Sequence, residues 1–120
     1  MVQPIIECVP NISEGRNTAL INKIIDSIAQ SENCSVLSVE PDADYNRTVV
    51  TIAGEPELVY HAAFQLIKAS IELIDMSKHQ GEHPRLGVVD VCPFVPLSGY
   101  TMEECVQLAE KLAKKVTEEF

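Results

Sequence analysis

Positive charge is scarce in this sequence: 9 Lys and Arg residues stand against 18 Asp and Glu, for a net charge of −9. An acidic surface repels phosphate backbones, and no stretch interleaves basic with aromatic residues, so nucleic-acid binding is not expected. A single basic pocket for a small anion stays compatible with the composition. Long apolar runs are also missing. No segment reaches the roughly eighteen uninterrupted apolar residues of a membrane span, so no membrane association is expected. The opening "MVQPIIECVPN" has neither the basic start nor the apolar core of a secretion signal. No C-x-x-C pair occurs. Cys8, Cys34, Cys92 and Cys105 are dispersed, mostly among apolar neighbours, which points to free, buried thiols and a cytoplasmic protein. Repeats, low-complexity tracts and linkers are absent as well, so the 120 residues are expected to form one domain around one core.

What is present reads as alternating strands and helices. Gln3 to Val9 is β-rich and closes on Pro10-Asn11. Leu20, Ile21, Ile24, Ile25 and Ile28 fall on one helical face, with Asn17 as N-cap. "NCSVLSVE" and "RTVVTIAG" are two further strands, separated by the polar turn "PDADYN" and stopped by Gly54. Pro56 opens the clearest helix, "PELVYHAAFQLIKASIELI". "LGVVDVCPFVP" is a fourth strand ended by prolines. Thr101 and Glu104 stand in capping-box spacing before a helix whose expected buried stripe is Met102, Cys105, Val106, Ala109, Leu112, Ala113 and Val116.

The order β-α-β-β-α-β(α) predicts an α+β, ferredoxin-like fold with helices on one face of a mainly antiparallel sheet. The fourth strand is apolar on both sides, at Val88, Val89, Val91, Cys92, Phe94 and Val95. Such a strand needs cover on both faces, so a second domain or a partner chain is expected on the face without helices. The chain closes in helical sequence, "KKVTEEF", with no C-cap glycine and no closing strand, which predicts either a longer protein or a short gene product.

Chemistry concentrates in three polar clusters. "DMSKHQGEHPRLGVVDVCPF" places His79, His83 and Arg85 before the fourth strand. The residues alone leave three readings open. The i, i+4 histidines have zinc-site spacing, although Gly81 and Pro84 oppose a regular helix there. Histidine also titrates near neutrality, so His83 beside the fixed charge of Arg85 suits general acid–base work on a carboxylate-bearing substrate. The bland alternative is a solvated turn. "PNISEGRN" contributes Asn11, Ser13, Glu14 and Arg16, and "EPDADYNRT" contributes Glu40, Asp42, Asp44, Asn46, Arg47 and Thr48. Either could be turn chemistry. Ferredoxin-like topology, however, brings the end of the first strand beside the starts of the third and fourth, so all three clusters converge on one rim.

Together "ECVPNISEGRN", "NRTVVTIAG" and "DMSKHQGEHPRLGVVDVCPF" resemble the N-terminal subdomain of the glutamate formimidoyltransferase (formiminotransferase) family, which also opens formimidoyltransferase-cyclodeaminase. The resemblance covers the chain from about Ile6 onward and makes residues 1–120 an incomplete N-terminal subdomain without the second subdomain. It implies transfer of a formimidoyl group from N-formimidoyl-L-glutamate to tetrahydrofolate, in histidine degradation and one-carbon metabolism. Folate would be a co-substrate, no metal is expected, and a second transferase subdomain or a homo-oligomer partner would complete the site. The family's histidine before Pro-Arg corresponds to His83, as general base. Its orienting carboxylate corresponds to Glu40, where the family pattern has Asp; Asp42 is a substitute candidate. Asn11, Asn46, Arg47, Thr48, His79 and Arg85 are the implied substrate-side groups. The alternative is a stand-alone, non-catalytic domain that binds a partner through its uncovered sheet face.

Overall fold

The computed structural model describes residues 3–28, 30–74, 89–91 and 93–119. Along the chain these form β1 (Ile5–Cys8), β2 (Asn11–Ile12), α1 (Thr18–Asp26), β3 (Cys34–Asp42), β4 (Arg47–Gly54), α2 (Pro56–Leu73), β5 (Val89–Val91), β6 (Phe94–Ser98) and α3 (Met102–Glu119). No helix among the described residues is long and apolar enough to cross a membrane.

The expected first strand is two short ones. Proline has no N–H to give to a ladder, and the break falls at Val9–Pro10. The Val9 N–H goes to the Pro93 carbonyl at 3.2 Å, and the Pro10 carbonyl accepts from Val50 at 3.0 Å. β1 and β2 thus run along β4 as one bent strand. β5 and β6 lie beside them in the same bent fashion. With each bent pair counted once, the strand order is β3, β4, β1/β2, β6/β5, and every pair is antiparallel. That is the ferredoxin-like arrangement expected from the element order.

Two strands run through prolines that were expected to bound them. β3 continues past Glu40 through Pro41 to Asp42, and β6 passes through Pro96. Among the described residues β3 pairs only with β4, and β6 only with β1. A proline at a sheet edge forfeits no ladder bond and blunts the edge against further pairing. On β3 the Gln30 side chain also takes the Val36 N–H, at 3.1 Å.

α2 packs on β1 and β4, α1 on α2, and α3 on α2 and β6. Between the layers lie Ile6, Cys8, Ile12, Val50 and Ile52 from the sheet, met by Ile24, Val59, Ala63 and Leu66. Local signals set the helix starts. Asn17 Oδ1 accepts from the Leu20 N–H at 3.0 Å, and Pro56 occupies the first turn of α2. Thr101 and Glu104 exchange capping-box bonds, both at 3.0 Å. The stripe on α3 differs from expectation. Cys105, Leu108 and Leu112 are buried, whereas Met102 and Val106 are 58% and 50% exposed and Ala113 is exposed. Leu108 widens the apolar arc, so two overlapping stripes satisfy helical spacing and packing selects the second. The same rotation carries the Lys111 and Lys115 ammonium groups over the Tyr60 ring, at 4.7 and 5.9 Å.

Among the described residues the other sheet face carries no helix. Alternation along β4 sends Thr48, Val50 and Ile52 into the core and leaves Arg47, Val49, Thr51 and Ala53 half-buried on the open side. Of the residues expected to make the fourth strand apolar on both faces, Phe94 is buried toward the helices and Val95 is exposed on the open face. Val88 and Cys92 lie outside the described residues.

Candidate functional site

Strand register builds the site. Asn11 on β2 and Glu40 on β3 both pair with Val49 of β4, one from each side. Directly paired residues share a face of the sheet. Asn11, Val49 and Glu40 therefore form a row across three strands on the open face. Asp42 pairs with Arg47 one step along, on the same face. Glu40 is exposed, while Asn11, Asp42 and Arg47 are half-buried. A depression of about 390 Å³ opens here, lined by Glu40, Asp42, Asp44, Arg47 and Val49 among others.

Arg47 is held partly by aromatic contact, its guanidinium carbon 5.3 Å from the centre of the Tyr45 ring. Its Nε is buried and has no hydrogen-bond partner among the described residues. A buried donor without a partner is costly, and a ligand carboxylate is the natural acceptor for a guanidinium.

Asn46 and Thr48 point elsewhere. Asn46 adopts a left-handed backbone, with φ of 53°, and is buried. Its Oδ1 accepts from the Gly15 N–H at 2.9 Å. The Thr48 hydroxyl, on the core side of β4, donates to the Glu14 carbonyl. Arg16 Nε donates to the Ala43 carbonyl at 2.8 Å, and the Glu14 carboxylate accepts from the N–H groups of Arg16 and Asn17, both at 3.0 Å. The bonds to Asn46, Thr48 and Ala43 lock the segment after β2 onto the β3–β4 hairpin, while the Glu14 carboxylate braces the segment itself. The sequence reading passed over Gly15, which makes the lock possible. A Cβ there would lie 2.5 Å from the Arg47 nitrogen and 2.6 Å from its carbonyl oxygen, with the Asp42 carbonyl closer still. The available signal was a lone glycine between charged residues just beyond a strand, where close backbone approach is a standard cause.

Two of the three expected clusters therefore meet at one rim. The third, with His79, His83 and Arg85, lies outside the described residues. The strand that follows it, β5, pairs with β2 at Asn11 and Ile12, at the same end of the sheet. Three groups away from this rim have raised pKa values. Burial pushes the Cys34 thiol up; burial and then the Glu104 charge push up Cys105; burial, followed by nearby charges, pushes up Tyr100. Cys34 and Cys105 are free and buried, and Cys8 is buried.

Fold and rim define a ferredoxin-like α+β unit whose polar chemistry gathers at one end of the sheet face opposite the described helices. The chain belongs to the formiminotransferase N-terminal subdomain family, whose description, "Formiminotransferase domain, N-terminal subdomain", matches residues 5–120. It is 47% identical over 115 residues to formimidoyltransferase-cyclodeaminase of Sus scrofa, covering 96% of this chain and 21% of that protein. It is 50% identical to glutamate formimidoyltransferase of Thermoplasma acidophilum and 44% identical to that of Streptococcus pyogenes serotype M1, in each case over 96% of this chain and 38% of the relative. The chain thus spans well under half the length of these relatives.

Proposed function

We propose that residues 1–120 are the N-terminal subdomain of a cytoplasmic, folate-dependent glutamate formimidoyltransferase, acting in histidine degradation and one-carbon metabolism. The reaction moves the formimidoyl group of N-formimidoyl-L-glutamate to N5 of tetrahydrofolate. His83 takes the N5 proton as that nitrogen bonds to the formimidoyl carbon. The tetrahedral carbon then expels the glutamate nitrogen, and His83 returns the proton to it. Glu40, or Asp42 beside it, orients the imidazole. Arg47 and Arg85 take the glutamyl carboxylates, and Asn11 and His79 supply polar contacts. Asn46 and Thr48 serve the site by holding the hairpin that carries Arg47. No metal takes part.

The observation that carries this reading is the row Asn11–Val49–Glu40 with Arg47 one step away, on the face that no helix covers among the described residues. A second transferase subdomain, or another copy of the chain, would close that face over the ligands. The test is a transfer assay with formimidoylglutamate and tetrahydrofolate on wild type and His83→Ala, with and without a C-terminal half from a relative. Loss of the base is expected to cost on the order of 10²–10⁴ in rate. A second reading has its own support: Val95 and Leu97 are exposed on or beside the open face of the β6 edge. A non-catalytic domain binding a partner there would give no turnover in any pairing.

A further inference from the structure

We propose that the outer flank of α3 is a self-association surface, on which α3 of a second copy of this chain packs antiparallel, crossing at Ala109. The sequence marks Met102, Val106, Ala109, Ala113 and Val116 as one stripe, at the alternating four- and three-residue spacing of a seam between paired helices. The fold buries that stripe only in part. Met102 and Val106 are 58% and 50% exposed, Ala113 is exposed, and Ala109 and Val116 are half-buried. The opposite flank of α3 is held against α2, where the Lys115 ammonium lies 4.3 Å from the centre of the Phe64 ring. The seam is therefore turned away from α2. It belongs to the helix side of the sheet, so its use does not depend on the transfer chemistry of the open face.

The seam is complementary to itself when one copy is reversed. In an antiparallel pair centred on Ala109, Met102 lies opposite Val116 of the second copy and Val106 opposite its Ala113. The alanines near the middle let the two backbones approach closely. The charges share that centre. Glu103 comes beside Lys114 of the second copy, and the two-fold axis repeats the pair; both side chains are exposed. A parallel pair would instead set each charge against its own like. Glu110 approaches its own counterpart near the axis, where Lys114, one turn further along the same helix, offsets the repulsion. Exposed ion pairs add little affinity, so the apolar seam supplies the attraction and the charges select the direction. Recognition of an unrelated partner would give apolar and charged positions no reason to share one centre.

The experiment is sedimentation equilibrium of the chain at concentrations up to about 1 mM. It compares wild type with Val106→Glu, Ala113→Glu, Glu103→Lys, Lys114→Glu, the double reversal Glu103→Lys with Lys114→Glu, and Thr51→Lys on the open face. The four α3 positions are exposed, and Glu and Lys are good helix formers, so the fold should persist, as a thermal melt would verify. Wild type is expected to dimerise. Val106→Glu and Ala113→Glu should abolish the dimer, because each sets an unpaired charge in the seam. Each single reversal should weaken it roughly three- to tenfold, the double reversal should recover most of that loss, and Thr51→Lys should change nothing. A monomer at every concentration overturns the proposal and leaves the flank to another partner or to the rest of a longer chain. A dimer that survives Val106→Glu, or that Thr51→Lys removes, overturns it too, since the copies then meet elsewhere. A double reversal no tighter than the single ones overturns the antiparallel pairing.

Discussion

The two faces of β4 are built from alternate residues of one eight-residue strand, and they answer to different constraints. Toward the helices, Thr48, Val50 and Ile52 are fully buried. Toward the open side, Arg47, Val49, Thr51 and Ala53 are half-exposed, and their partners on β3, Asp42, Glu40, Ser38 and Ser35, are polar. One face holds the domain together, and the other is free to carry chemistry. A substitution should therefore be felt in stability or in binding according to the parity of its position.

The sharpest way to break that contrast is to truncate adjacent residues. Ile52→Ala opens a cavity under α2 and is expected to cost about 2–5 kcal/mol. Thr51→Ala, one position away on the open face, should stay within about 1 kcal/mol, the small cost of a lower β-propensity. Urea unfolding of both variants measures the difference. Equal losses would mean that the open face is packed in solution and would remove the premise of a free site.

Gly15→Ala probes the lock between the two faces. An added methyl meets backbone at Asp42 and Arg47, which cannot swing aside as a side chain can. A loss of about 1–3 kcal/mol is expected from overpacking. Unlike Ile52→Ala it should also disturb the rim, because the displaced atoms belong to Arg47 itself. Amide shifts at Arg47 and Val49 in a heteronuclear spectrum would show it. A wild-type spectrum with wild-type stability would mean that the loop and the hairpin are not interlocked.

Much of this contrast was legible in the sequence because it rests on local chemistry. Asn17, Pro56 and the Thr101–Glu104 pair start helices through bonds within a single turn, so spacing reveals them. Topology then followed from element order, and with it the meeting of the Asn11 and Arg47 segments. What escaped depends on tertiary surroundings. Pro41 and Pro96 look like strand breakers until it is known that each lies on an edge strand. Leu108 and Val106 both satisfy helical spacing on α3, and only contact with α2 and β6 decides between them. The tight place at Gly15 comes from a hairpin some thirty positions further on, as the Gly15–Asn46 bond also does. The readings of His79, His83 and Arg85 fall outside the described residues, so for them the sequence remains the source.

A smaller effect tests how dry the helix-facing side is. Ser70 on α2 is fully buried, and its hydroxyl has no hydrogen-bond partner among the described residues. Replacing it with Ala removes an unpaired polar group and leaves the shape nearly unchanged. Stability should hold or rise, by up to about 1 kcal/mol. A clear loss in a urea titration would instead reveal a partner for that hydroxyl.

The smallest expected effect is a pH dependence confined to the buried face. Cys34 and Cys105 have thiols raised above their ordinary value of 9.0, chiefly by burial. Between the unfolded and folded values the folded state holds more protons than the unfolded one. Stability from this source is then fully present below about pH 9 and declines as pH rises through the folded values. Tyr100, raised above 10.0 by burial and by neighbouring charges including Glu104, adds the same sign at higher pH. Urea midpoints taken at steps from neutrality to pH 9.5 should fall for wild type, and fall less for the double variant Cys34→Ala, Cys105→Ala. The double variant will be less stable throughout, since two buried side chains are shortened, so the informative quantity is the slope with pH rather than the level. Parallel slopes would mean that these thiols ionise as easily folded as unfolded, which a dry interface between the sheet and its helices does not permit.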